Sequence, residues 1–137
     1  MVGMMNISNY QAFFHDGSLQ AIEHTNDKII FTLFSAEVDE ADIKNDIILS
    51  DDDRIVGNLY IEKIKSIIVN DKPFNGLLTK THDSADIFEL DIQKHRIKIL
   101  IIWSNYPPKP EDEDFSVIEV HGEKIYWENL PDLVSNG

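Results

Sequence analysis

Hydrophobic and polar side chains alternate along most of the chain with a period of two, which is typical of β-strands with one buried face. The alternation is clearest over residues 86–103, whose apolar side consists of Phe88, Leu90, Ile92, Ile97, Ile99, Ile101 and Trp103. Folding this segment about Lys94 and His95 gives an antiparallel hairpin. Its predicted pairs are Ile92 with Ile97, Leu90 with Ile99, Phe88 with Ile101 and, on the polar side, Asp91 with Lys98. A slip of one residue would bury the charged side, so the pattern specifies the register.

Two earlier stretches follow the same period with one interruption each. Residues 19–24 and 28–35 flank the turn formers Asn26 and Asp27. They predict a hairpin whose first strand carries a bulge where Ile22 breaks the alternation. Residues 54–69 are rich in isoleucine and valine, which favour strands. Their alternation slips at residues 62–63, which predicts a bulge or a tight turn there.

The remaining segments predict shorter elements. Residues 115–121 and 124–127 indicate a last hairpin with its turn at His121-Gly122-Glu123. The weakly patterned residues 36–53 are expected to form a loop or short helix with a brief strand at 47–49. Short helical segments are expected at residues 9–14 and around residues 131–134.

Seven or more short strands indicate a mainly β fold. We therefore predict a single antiparallel β-sandwich or a strongly curved sheet with one or two short helices. A chain of 137 residues has the usual length of one domain. Residues 1–137 are accordingly expected to form a single domain.

Acidic residues outnumber basic ones by 25 to 12 and give the chain a net charge of −13. They are concentrated at its two ends. Residues 1–53 carry 11 acids and 2 bases and residues 110–137 carry 8 acids and 1 base, whereas residues 54–109 carry 6 acids and 9 bases. Such a surface repels polyanions, so the composition argues against nucleic acids and anionic membranes as partners and favours a basic protein.

Two further features of the composition concern redox chemistry and membranes. The sequence has no cysteine, which excludes disulfides, thiolate metal sites and cysteine nucleophiles. The longest uninterrupted apolar run, residues 99–103, is far shorter than the roughly 20 residues of a membrane-spanning helix. Because the first five residues also lack the pattern of a secretory leader, we predict a cytoplasmic protein.

The motifs of catalysis and metal binding are poorly represented. Asp51, Asp52 and Asp53 suggest a calcium loop, but Ile55 and Val56 stand where an EF-hand needs a ligand and a glycine. A solvated acidic turn is therefore the preferred interpretation. The His-Asp pairs at 15–16 and 82–83 lack the spacing of a known metal motif, and the sequence has no nucleophile elbow or glycine-rich phosphate loop. We predict no catalytic residue, no metal ligand and no cofactor.

The acidic segments 37–53 and 111–114 are the candidate contact regions for a basic protein. The residues predicted to bind it are Glu37, Asp39, Glu40, Asp42, Asp51, Asp52, Asp53, Glu111, Asp112, Glu113 and Asp114. Carboxylates of this kind steer a basic partner during diffusional encounter, at a rate that falls with salt.

A motif of interest lies near the start of the chain, at His15, Asp16 and Gly17. These residues are interpreted as the end of a short helix, a glycine turn and the entry to the first strand. Asp16 is expected to accept hydrogen bonds from the backbone amides that follow it, and His15 to bond to a neighbouring strand.

The string F-H-D-G-S-L-Q-A-I at residues 14–22 resembles the opening of small bacterial immunity-type proteins, the Imm50 group of polymorphic toxin systems. Residues 56–64, V-G-N-L-Y-I-E-K-I, are similar to the strand pattern of that group. The resemblance implies a compact, β-rich antidote that binds a cognate toxin without catalysis.

The sequence leaves three hypotheses of different classes. The first is a non-catalytic protein-interaction domain, of immunity type or otherwise, that binds a basic protein. The second is a self-associating structural or regulatory β domain, in which an exposed sheet edge forms a homodimer. The third is a small metal-dependent enzyme that uses His15, Asp16 and residues gathered across the sheet. They are placed in that order because the chain is acidic and lacks catalytic motifs.

Overall fold

Seven antiparallel strands and two short 3-10 helices form the fold in the computed structural model, which describes residues 7–43, 47–104 and 114–133. The strands are β1 (Ser18–Thr25), β2 (Lys28–Glu37), β3 (Arg54–Val69), β4 (Lys72–Pro73), β5 (Ser84–Ile92), β6 (Arg96–Ser104) and β7 (Asp114–Asn129). The 3-10 helices are Ile7–Phe14, before β1, and Glu40–Asp42, after β2. The predicted mainly β fold is confirmed.

The sheet curves until it closes on itself. Its strand order is β2-β1-β5-β6-β7-β3-β4, and β2 pairs in addition with β3, so six strands form a closed circuit to which the short β4 is attached. Of the two predicted architectures, the strongly curved sheet is the one observed. The inner sides of the six strands in this closed sheet face one another, so their side chains meet in one core.

The β1–β2 hairpin agrees with its prediction. Thr25 pairs with Lys28 across the two-residue turn, and the register shifts between Leu19 and Ala21. The bulge therefore lies at Gln20, whereas the sequence predicted it two residues later, at Ile22. On the inner side of β2, Ile29, Phe31 and Leu33 are buried, as the period of two requires.

The β5–β6 hairpin confirms three of the four predicted pairs. Ile92 pairs with Ile97, Leu90 with Ile99 and Asp91 with Lys98. The fourth pair was wrong: Ile101 lies opposite Ile87, and the register shifts between Ile87 and Glu89. Phe88 is the extra residue of this bulge. It points outward and is 49% exposed, whereas Ile87 takes the buried place that alternation alone assigns to Phe88.

The two longest strands, β3 and β7, account for one correct and one wrong prediction. β3 continues through the predicted slip, with Lys63 at φ 56° and a register shift between Ile64 and Ser66. The predicted hairpin around Gly122 was wrong, because β7 is a single strand. A Cβ on Gly122 would lie 2.6 Å from Ile61 Cγ2, so this glycine permits a close approach to β3 and makes no turn. The predicted strand at residues 47–49 was also wrong, since these residues form a loop.

The helix Ile7–Phe14 packs against the sheet through one side. Ile7, Tyr10 and Phe14 are buried, and the Phe14 ring meets Trp127 edge-on at a centroid distance of 5.7 Å. The Gln11 side chain accepts a hydrogen bond of 2.8 Å from the Ile92 amide and so links the helix to the end of β5. Across the described ranges, the structure contains no helix with the length and apolar character needed to cross a membrane.

Candidate interaction surface

Seven of the predicted partner-binding residues lie in one region. β2 ends at Glu37, and β3 begins at Arg54, with which Glu37 pairs. The Val38 amide donates a 2.7 Å hydrogen bond to the Asp53 carbonyl, which joins the segment after β2 to the turn before β3. We call this region the acidic surface. It consists of Glu37, Asp39, Glu40, Asp42, Asp51, Asp52 and Asp53, all of them exposed.

The backbone of the acidic surface is fixed by short-range hydrogen bonds. Asp39 caps the helix Glu40–Asp42 by accepting a 3.0 Å hydrogen bond from the Ala41 amide. In the second segment, the Asp53 amide donates to the Ser50 carbonyl and the Ser50 amide to the Arg54 carbonyl, at 3.0 and 2.8 Å. Asp53 adopts φ 62°, which aspartate tolerates in tight turns. This is the acidic turn that the sequence indicated.

Arg54 is the single base within residues 37–43 and 47–54. Its Nε lies 3.0 Å from Asp52 Oδ2, and its Nη1 donates a 2.8 Å hydrogen bond to the Ser35 carbonyl. The hydrogen bond from the Ser50 hydroxyl and the nearby Arg54 guanidinium lower the pKa of Asp52. Asp52 is therefore ionised at neutral pH, and Arg54 neutralises its charge. The acidic surface contains six acidic residues besides Asp52.

A cleft with both polar and apolar walls lies within the acidic surface. It has a volume of about 390 Å³ and is lined by Glu40, Ile43, Ile47, Ile48, Leu49, Ser50 and Asp53. Ile48 is 70% exposed, and its carbonyl accepts a 2.8 Å hydrogen bond from the Asn129 side chain. We did not predict from the sequence that residues 47–49 line a cleft, because they were predicted to form a strand. The sequence nevertheless indicates such a site, since these residues form an apolar run inside an acidic segment.

Asp114, the described residue of the second predicted acidic segment, does not join this surface. Asp114 is exposed at the first position of β7 and pairs with Trp103, whereas the last residue of β7, Asn129, is the one that reaches Ile48. The sixteen residues of β7 therefore separate Asp114 from the acidic surface. Glu111, Asp112 and Glu113 lie outside the described residues.

His15, Asp16 and Gly17 occupy the seam at which the sheet closes. Between β1 and β5 the ladder contains a single pair, Ser18 with Asp86. The motif extends it, because the Asp16 amide donates to the Ile87 carbonyl and the Ile87 amide to the Gly17 carbonyl, both at 2.9 Å. His15 Nδ1 bonds to the Phe88 carbonyl, which places this side chain on a neighbouring strand as predicted.

The sequence predicted a glycine turn at this motif. In the structure, however, the residue in the left-handed region is Asp16, at φ 69°. Gly17 is needed for space, because a Cβ there would lie 2.3 Å from the Phe34 carbonyl oxygen. The Asp16 carboxylate lies 3.7 Å from His15 Nε2 and is 81% exposed. The motif thus joins strands through its backbone and its histidine ring.

Among the residues that the structure describes, no three His, Asp or Glu side chains converge in a way that could hold a metal ion. His82, of the second His-Asp pair, stacks on Trp103 at a centroid distance of 5.7 Å.

The chain was compared with protein-family models, with curated proteins and with solved structures, and no match was found in any of the three.

Proposed function

We propose that this protein is a non-catalytic interaction domain whose acidic surface binds a basic protein. The observation that carries the proposal is that seven exposed acidic residues come from two segments joined by the hydrogen bond between Val38 and Asp53, and that two of them, Glu40 and Asp53, line the cleft beside Ile48. Carboxylates increase the rate of encounter with a basic partner, and an apolar centre supplies the area that holds it.

The immunity-type protein suggested by residues 14–22 is the specific form of this proposal, with a basic toxin as the partner. Its support is the resemblance of residues 14–22 and 56–64 to that group, together with an acidic surface that suits a basic toxin. The self-associating alternative has less support, because the closed circuit leaves β2, β3, β6 and β7 with a partner strand on each side.

A pull-down from a lysate of the source organism at low salt tests the proposal. The test variant combines Glu40→Gln with Asp42→Asn, two exposed side chains of the acidic surface. The control is Glu23→Lys, which changes the net charge by the same two units on the outer side of β1. A basic protein retained by the wild type and the control but lost by the test variant supports the proposal. Equal retention by all three, or retention of no basic protein, contradicts it.

A further inference from the structure

The outer side of β5, β6 and β7 carries an apolar patch. In the ladders between these strands, Leu100 stands next to Val117 and Ile102 next to Phe115. The bulge on β5 turns Phe88 to the same outer side, where its ring also meets the His15 ring edge-on at a centroid distance of 5.3 Å. We call this patch the apolar face and define it as Phe88, Leu100, Ile102, Phe115 and Val117. Phe88 and Phe115 are 49% and 46% exposed, and the other three are half-buried.

The outer side of β2, β3 and β7 is different in character. There Thr32 donates a 2.7 Å hydrogen bond to Asn58, and the Tyr60 hydroxyl donates to Glu128 at 2.7 Å. The Tyr126 hydroxyl donates to Glu62. Polar groups thus satisfy one another on that side, so the apolar face is a local feature of the sheet. A contiguous exposed apolar patch of this kind marks interaction sites in soluble proteins.

Carboxylates surround the apolar face. Asp86 pairs with Ile102 and Glu89 with Leu100 on the β5 side, while Asp114 precedes Phe115 and Asp71 lines a groove with Val117 on the other. All four acids are exposed.

The bases in the same groove, which has a volume of about 330 Å³, already have acidic neighbours. Arg96 Nη2 lies 2.7 Å from Asp91 Oδ2, and Lys98 pairs with Asp91 on one side and Glu119 on the other. The rim of the apolar face therefore carries an excess of negative charge.

We infer that the apolar face is a second docking surface, and that it binds a protein segment whose apolar side chains are flanked by lysine or arginine. Charge complementarity selects this occupant over a second copy of the chain. A symmetric dimer through this face would bring the rim carboxylates Asp71, Asp86, Glu89 and Asp114 of both copies together, and like charges at an interface are unfavourable. This inference goes beyond the proposed function, because the apolar face contains none of the residues of the acidic surface.

Two synthetic peptides and amide chemical-shift mapping of the full chain provide the test. The first peptide alternates lysine with leucine and valine, and the second has serine at every apolar position and the same charge. We expect the first to shift amides of the apolar face saturably and the second to shift at most those of the acidic surface. Phe115→Ser should raise the dissociation constant of the first peptide by about tenfold, as expected for one aromatic anchor. Phe88→Ser should also raise the dissociation constant of the first peptide.

Leu77→Ser is the matched control, because Leu77 is 63% exposed in the segment before β5 and belongs to neither surface. The inference is overturned if both peptides bind the apolar face equally, if neither binds it, or if Phe115→Ser and Leu77→Ser behave alike. A dimer in light scattering that Phe115→Ser dissociates would also overturn it, in favour of a second copy. Because shifts at the acidic surface are observed separately, failure of this inference is distinguishable from failure of the proposed function.

Discussion

At Gly17 the end of the first 3-10 helix and strand β2 both approach the backbone closely. A Cβ at this position would lie 2.3 Å from the Phe34 carbonyl oxygen and 3.0 Å from both the Phe14 oxygen and Ser35 Cα. All three contacts are with backbone, which cannot move without disturbing the β1–β2 ladder. The sequence placed a glycine turn here, but the crowding that requires glycine comes from residues of β2 and was visible only in the fold.

We predict that Gly17→Ala lowers the free energy of unfolding by about 1–3 kcal/mol, the usual cost of overpacking. Urea denaturation measures the change. Gly76→Ala is the control, because its Cβ would first meet the end of the Phe74 ring at 3.3 Å. That substitution should change stability by less than about 0.5 kcal/mol. Equal losses in the two variants would contradict the role assigned to Gly17.

Tyr60 and Tyr126 form a second feature at this scale. Their rings stack across β3 and β7 with centroids 4.7 Å apart, and each hydroxyl donates a hydrogen bond to a glutamate. Burial and the hydrogen bond to Glu62 raise the pKa of Tyr126 to about 12. The hydrogen bond to Glu128 raises that of Tyr60. The alternating pattern contained no information on the hydrogen-bond partners of these two hydroxyls.

Because folding raises the pKa of Tyr126 from 10.0, the folded state holds the phenolic proton more tightly than the unfolded state. The resulting stabilisation is complete below about pH 10 and is lost as the pH rises towards 12. We predict that the urea midpoint of the wild type falls over this interval more steeply than that of Tyr126→Phe. Identical pH profiles for the two proteins would show that Tyr126 titrates normally.

At the scale of the elements, the β1–β5 seam is the weakest join of the closed sheet. It has one ladder pair and two backbone hydrogen bonds contributed by Asp16, Gly17 and Ile87, whereas β3 pairs with β7 along most of their length. His15 supplements the seam through the Phe88 carbonyl. Weakly joined segments open locally at lower free energy than the rest of a structure.

We predict that the Ile87 amide exchanges with solvent deuterium faster than amides in the middle of β3. His15→Ala should increase its exchange rate roughly threefold to tenfold, as expected from the loss of one hydrogen bond. His95→Ala is the matched control, because His95 is also exposed and bonds to a backbone oxygen, that of Glu123, at 3.1 Å. If His95→Ala has the same effect at Ile87, His15 does not hold the seam.

Alternation predicted elements well wherever one face of a strand is buried and the register is unbroken. The β1–β2 hairpin and three pairs of the β5–β6 hairpin follow directly from it. It failed at Phe88 and at Gly122, where a bulge or a close approach depends on the neighbouring strand. Closure of the sheet depends on the pairing of β2 with β3 and β1 with β5, contacts between residues far apart in the sequence, for which local patterns contain no signal.

At the scale of the whole molecule, the predicted contact residues that the structure describes fall on two separate surfaces. The seven acids of the acidic surface lie in two joined segments, and Glu40 and Asp53 line the cleft there, while Asp114 borders the apolar face instead. Sequence alone predicted which residues are acidic and exposed. The division into two surfaces required the course of β7.

The central claim is that the acidic surface binds a basic protein, and its most direct test is the rate of association with the partner retained in the pull-down. Stopped-flow measurements over a range of salt concentrations would compare the wild type, the Glu40→Gln and Asp42→Asn double variant, and Glu23→Lys. We predict that the double variant associates more slowly than Glu23→Lys at low salt and that the rates converge at high salt. Equal rates and equal salt dependence for the two variants would contradict the claim.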